Sequence, residues 1–139
     1  MKLFLILFLL PFTSTPIGYR ELKWSDFKGK PPANTEASAC TCTNIAIGYD
    51  TAYAIFIPER SWTKTNSPEV LRHEQFHFTI TYYWADFIAR EMKLKPPYSA
   101  HHIEQIIRHW REMQEKYDRE TAHGTDTVAQ RRWEEQIKL

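Results

Sequence analysis

The sequence predicts a compact α+β domain in which a small antiparallel sheet, from about Ala37 to Pro58, packs against one long helix and two further helices. Three observations carry that expectation. Alternating, β-branched and aromatic residues fill "ACTCTNIAIGYD" and "TAYAIFIPE", a helical stretch with a legible start runs from Ser67 to about Lys93, and two later stretches repeat apolar residues at three-and-four spacing. With 139 residues the chain is long enough for one core and too short for two independent ones. Eighteen Lys plus Arg against seventeen Asp plus Glu leave a net charge of +1 with no basic stripe, which gives no electrostatic basis for a nucleic-acid partner.

The chain opens on Met1-Lys2, the apolar run "LFLILFLL" and then "PFTSTP". A positive start, a short hydrophobic stretch and small residues at Thr13, Ser14 and Thr15 read as a secretory signal over residues 1–15, leaving residues 16–139 as the domain. The expected location is therefore secreted or periplasmic. The run is well short of the roughly 20 apolar residues that cross a bilayer, so no stable membrane span is expected.

Next, "YRELKWSDFKGKPPANTEAS" is polar and punctuated by Gly29, Pro31 and Pro32, so it is expected to be extended or turning, with Trp24 and Phe27 as anchors. Two short strands then flank a turn at Gly48 to Asp50, and "RSWTKTN" connects them to the long helix. Cys40 and Cys42 share one face if this segment is a strand, where a direct bridge is strained; two small, partly buried thiols or an incidental bond are a simpler reading of a lone C-x-C than a metal or redox pair.

The long helix has Ser67 as cap, Pro68 at its first position and Glu69 in its first turn, and Pro96 and Pro97 stop it. Ser99 caps a second helix whose Ile103, Ile106, Ile107, Trp110, Met113 and Tyr117 form a core-facing stripe ending near Gly124. A last helix carries Val128, Ala129, Trp133 and Ile137 on one side.

Within the long helix, His73-Glu74-Gln75-Phe76-His77 places two histidines four residues apart. They point the same way and offer two imidazole nitrogens to one tetrahedral ion, while Glu74, about a hundred degrees round, flanks that ion without ligating it. This is the H-E-x-x-H arrangement of metalloproteases, in which the glutamate takes a proton from an attacking water. A third ligand is required. The segment "EKYDRETAHGTD" offers His123, Glu120, Asp118 and Asp126. Gly124 lets the chain reverse after His123, and Glu120 lies near the core-facing stripe as its rival. His101, His102 and His109 read as surface residues. Tyr117 reads as a core residue with a partner for its hydroxyl, and second as a donor to the oxyanion at a metal site.

The blocks "LKWSDFKGKPP", "SW", "LRHEQFHF", "YDRETAHG" and "QRRW", in this order and over nearly the whole domain, resemble a family of bacterial secreted proteins, domain of unknown function 922, whose members are predicted zinc-dependent proteases. The resemblance implies a zincin-like fold, Zn²⁺ held by His73, His77 and His123, Glu74 as base, and a protein or peptide as substrate. The chain departs from the family pattern at Thr79, Thr81 and Tyr82, where acidic residues are common, so the residues that orient the histidines are not named by it. The function expected is secreted zinc-dependent peptide hydrolysis. The alternative is a non-enzymatic, zinc-stabilised envelope or peptide-binding module, including a degenerate protease.

Overall fold

A computed structural model of the chain describes residues 18–94 and 98–139; the proposed signal and the two helix-stopping prolines lie outside them. In chain order the elements are β1 (Ala39–Cys40), β2 (Thr43–Ile47), β3 (Ala52–Phe56), β4 (Trp62–Thr63), α1 (Pro68–Leu94), α2 (Ala100–Glu120) and α3 (Thr127–Gln136). The arrangement is α+β, as the sequence predicts.

The sheet differs in detail. It consists of two antiparallel ribbons, β1 with β4 and β2 with β3. The β2–β3 hairpin pairs Thr43 with Phe56 and Ile47 with Ala52, and its turn closes through Gly48 N donating to Thr51 O at 2.7 Å. β4 lies in the segment read as a connection. It pairs back onto β1 because the fully buried Ser61 ties the two ribbons: its hydroxyl accepts from Cys42 N at 2.9 Å and donates to Ile57 O at 2.8 Å. Gly29 packs under this corner, where a Cβ would meet Ser61 O at 2.8 Å and Glu59 O at 2.9 Å. Only glycine allows so close a backbone approach.

Helix α1 is shared by two apolar clusters. Phe76, Ile80, Ala85 and Ile88 join Ile45 and Ala52 of the hairpin to Ile106, Trp110, Tyr117, Trp133 and Ile137 of the later helices. Phe78 belongs to a second cluster with Leu22, Phe27 and Phe56, against which Trp24 packs as well. Ile80 and Ile88 are wholly buried, and each contributes about 1.5–3 kcal/mol of burial free energy. The segment before β1 is fixed to α1 by Gln75, whose amide accepts from Leu22 N at 2.6 Å and donates to Arg20 O at 3.1 Å.

The first two helix starts match their sequence signals, with Val70 N donating to Ser67 Oγ and His102 N to Ser99 Oγ. Asp126, read above only as a possible ligand, caps α3 by accepting from Val128 N and Ala129 N. α2 ends earlier than the Gly124 signal suggests, at Glu120. The Thr121 hydroxyl donates to Tyr117 O at 2.7 Å, competing for a helix carbonyl, and Ala122, His123 and Gly124 then take φ of 47°, 53° and 84°. Val128 is 59% exposed, so α3 packs through Trp133, with Ile137 buried just past its end. No helix among the described residues is long and apolar enough to cross a membrane.

Candidate metal centre

Two i, i+4 pairs face each other across α1 and α2. His73 and His77 project from α1, and Gln114 and Asp118 project to meet them from α2. Asp118 Oδ1 lies 3.0 Å from His73 Nε2 and 2.9 Å from His77 Nε2, and the two Nε2 atoms are 3.2 Å apart. Among the described residues these three form the metal-compatible cluster of histidine and carboxylate donors.

The dimensions fit zinc. Bonds of about 2.0–2.1 Å in a tetrahedron make donor–donor edges of about 3.3 Å, so the observed triangle is slightly contracted from one face of such a site. Two imidazole nitrogens and a carboxylate oxygen are also a donor set that catalytic zinc uses. Burial alone would push the Asp118 carboxyl up, yet hydrogen bonds from His73 and His77, with the histidines' charge, hold it well below the usual carboxylate range. Asp118 is therefore an anion at neutral pH, the form that ligates. Burial opposes charging of His77, but the hydrogen bond to Asp118 and the negative charges of Asp118 and Glu74 outweigh it, raising its pKa.

The structure brings Asp118, and not His123 or Glu120, to the histidine pair. His123 Nδ1 stands 3.6 Å from Asp118 Oδ1, outside the three-donor cluster, and its side chain is 78% exposed. Glu120 turns the other way, accepting from Trp133 Nε1 at 3.0 Å and lying 3.7 Å from Lys116 Nζ. Asp126 is occupied as the cap of α3. Four-residue spacing decides between the candidates: Asp118 is one helical turn beyond Gln114 and shares its face, whereas Glu120 is about 200° further round.

Tyr117 forms the wall behind the imidazoles. Its ring stacks on His73 at 4.7 Å and meets His77 edge-on at 5.0 Å. The hydroxyl donates to the main-chain His73 O at 3.3 Å, which commits it to α1 instead of directing it at the three donors. Burial, followed by the charges of Glu134, Glu74 and Asp118, raises its pKa, so the phenol stays protonated. The other wall is Gly124. A Cβ there would stand 2.7 Å from His73 Cγ and 2.8 Å from His73 Cβ.

Glu74 is 4% exposed, and its Oε2 is buried with no hydrogen-bond partner. It is outside the three-donor cluster. A buried carboxylate oxygen left without a donor is costly in a finished protein, so this atom points to a water or ligand that completes the site. The strand β1 ends beside it, with Thr41 Oγ1 donating to Glu74 O at 3.1 Å. Cys40 and Cys42 are free thiols. Cys40 is exposed, yet desolvation by its surroundings, then the charges of Glu74, Cys42 and Asp118, push its thiol up to about 11, so it remains protonated at neutral pH. His101, His102 and His109 are exposed, as expected.

Comparison with protein-family models, curated proteins and solved structures gave no match in any of the three.

Proposed function

We propose that the chain is an exported zinc-dependent peptidase in which His73, His77 and Asp118 hold Zn²⁺ and Glu74 is the general base. The observation that carries this reading is the triangle of donors, 2.9–3.2 Å on each edge, formed by two histidines of an H-E-x-x-H helix and one ionised carboxylate. The resemblance of the "LRHEQFHF" and "YDRETAHG" blocks to predicted secreted zinc proteases supports it, since those blocks supply all three donors. Bound zinc supplies Lewis-acid polarisation of a peptide carbonyl and lowers the pKa of a water at its open position.

The residues divide the remaining work. Glu74 is adjacent in sequence to His73 and keeps one carboxylate oxygen unpaired, free to take a proton from the attacking water and pass it to the leaving amine. Its burial strengthens that exchange by excluding competing solvent. Tyr117 stacks on the His73 ring and Gly124 packs close to its Cβ, Cγ and Nδ1, with Nε2 held toward Asp118.

Glu74→Gln tests the assignment. The variant keeps size and shape, so zinc content and thermal midpoint are expected to stay near those of the parent, while cleavage of an unfolded protein or quenched peptide library falls on the order of 10²- to 10⁴-fold. Equal cleavage by parent and variant sinks the role of Glu74. A second reading is favoured by His123, whose Nδ1 is 3.6 Å from Asp118 Oδ1. If that imidazole closes on the ion as a fourth protein ligand, the site is structural and the chain is a zinc-stabilised binding module. Zinc binding without cleavage in the parent supports that alternative.

A further inference from the structure

We propose that Gln114 is a positioning residue that fixes the tautomer of His77, so that Nδ1 carries the hydrogen and Nε2 presents its lone pair to the ion; this rests on the metal-binding reading above. Gln114 touches His77 twice, with Oε1 2.6 Å from Nδ1 of the ring and Nε2 2.9 Å from the main-chain His77 O. Nε2 also donates to Thr81 Oγ1 at 2.9 Å.

A main-chain carbonyl only accepts. The group facing His77 O must therefore be the amide nitrogen, and its two hydrogens are used by His77 O and Thr81 Oγ1. Thr81 is held in this role by Trp110 Nε1, which donates to the same hydroxyl at 3.1 Å. Two incoming N–H groups fill the oxygen's two lone pairs, leaving its own hydrogen for His77 O at 3.0 Å or the Thr43 hydroxyl at 2.7 Å. Rotating the amide by half a turn would set oxygen against the carbonyl and strand two hydrogens at the ring. With the amide so fixed, Oε1 is the atom facing the imidazole, and Nδ1 must donate to it. A charged His77 donates from both nitrogens, Nε2 to the Asp118 anion at 2.9 Å. When the ring is neutral the hydrogen held by Gln114 stays on Nδ1, and the Nε2 lone pair accepts from His73 Nε2 at 3.2 Å until an ion takes that place.

His73 lacks an equivalent. Its Nδ1 is buried without a partner, packed against the Gly124 main chain. The two ligands are thus held by different means, His77 by a hydrogen bond and His73 by the surfaces of Tyr117 and Gly124. Thr81 serves the network through its hydroxyl.

The test uses the full chain, labelled with ¹⁵N at histidine and stripped of metal, at a pH above the titration of His77. The parent is expected to show a hydrogen-bearing Nδ1 and an unprotonated Nε2 at His77. Gln114→Met removes the acceptor and is expected to lose that preference and to weaken zinc, measured by chelator competition, by about 10- to 100-fold. Trp110→Phe loosens the same network but keeps the acceptor at Nδ1, and is expected to retain the tautomer. An unprotonated Nδ1 in the parent overturns the proposal whether or not any variant folds, as does a folded Gln114→Met with the parent's tautomer. A parent with the expected tautomer and no zinc affinity overturns the metal reading instead.

Discussion

One oxygen of Asp118 serves two imidazoles, which makes this carboxylate the most exposed to test of the three donors. Asp118→Ala is expected to lower zinc affinity by more than about 100-fold, because two nitrogens alone do not hold a stable tetrahedral ion. His123→Ala and Glu120→Gln are expected to stay within about tenfold of the parent, as residues beside the site but not in its first ring of contacts. Competition with a chromogenic chelator ranks the three, and a larger loss for His123→Ala returns the third-ligand role to that histidine. Gly124 permits a second test at the same scale. At φ 84° a side chain on Gly124 is strained by the backbone alone. The His73 ring adds a clash, since it lies under 3 Å from where a Cβ would stand. Gly124→Ala is expected to cost about 1–3 kcal/mol of stability in denaturant titration and to weaken zinc binding as His73 is pushed aside. Unchanged zinc affinity would show that His73 does not depend on this wall.

Among the elements, α3 secures the turn that follows the candidate ligand. Trp133 donates to Glu120 at the end of α2, and Glu134 takes a two-point hydrogen bond from Arg72 on α1, the residue before His73. The hydrogen bond from Arg72 lowers the Glu134 pKa from its ordinary 4.5. A carboxylate whose folded pKa is depressed contributes stability above its unfolded pKa and loses it as pH falls through the folded one. Between pH 7 and 5 the contribution is therefore constant, and it fades below about 4.5. Glu134→Gln is expected to lower the thermal midpoint at neutral pH and to narrow its difference from the parent as the pH drops below 4.5. A gap that widens in acid contradicts the pair's role. The same elements show what sequence makes legible. Caps at Ser67 and Ser99 announce their helices because capping is local chemistry. β4 has no such signal: two residues become a strand only by meeting β1, and that depends on Ser61 being buried. Asp118 was readable as a donor within "EKYDRETAHGTD", but its choice over His123 and Glu120 depends on how α1 and α2 align, which no spacing within either helix states.

At the scale of the molecule, α1 separates two apolar clusters and carries the histidines between them, with Phe78 on one side and Phe76 and Ile80 on the other. Loss of either cluster is therefore expected to reach the site through one rigid helix. Gln75 gives this arrangement a further consequence. It lies between the two histidines in the chain, yet its amide spends both ends on the main chain at Arg20 and Leu22. An exopeptidase working inward from the N-terminal side must draw unbonded backbone into its own cleft, and here it meets backbone already bound. The motif helix thus acts as a ratchet stop for trimming: an aminopeptidase that reaches Arg20 is expected to stall there in the parent, and to advance toward Phe27 in Gln75→Ala, as read by the masses of the surviving chains.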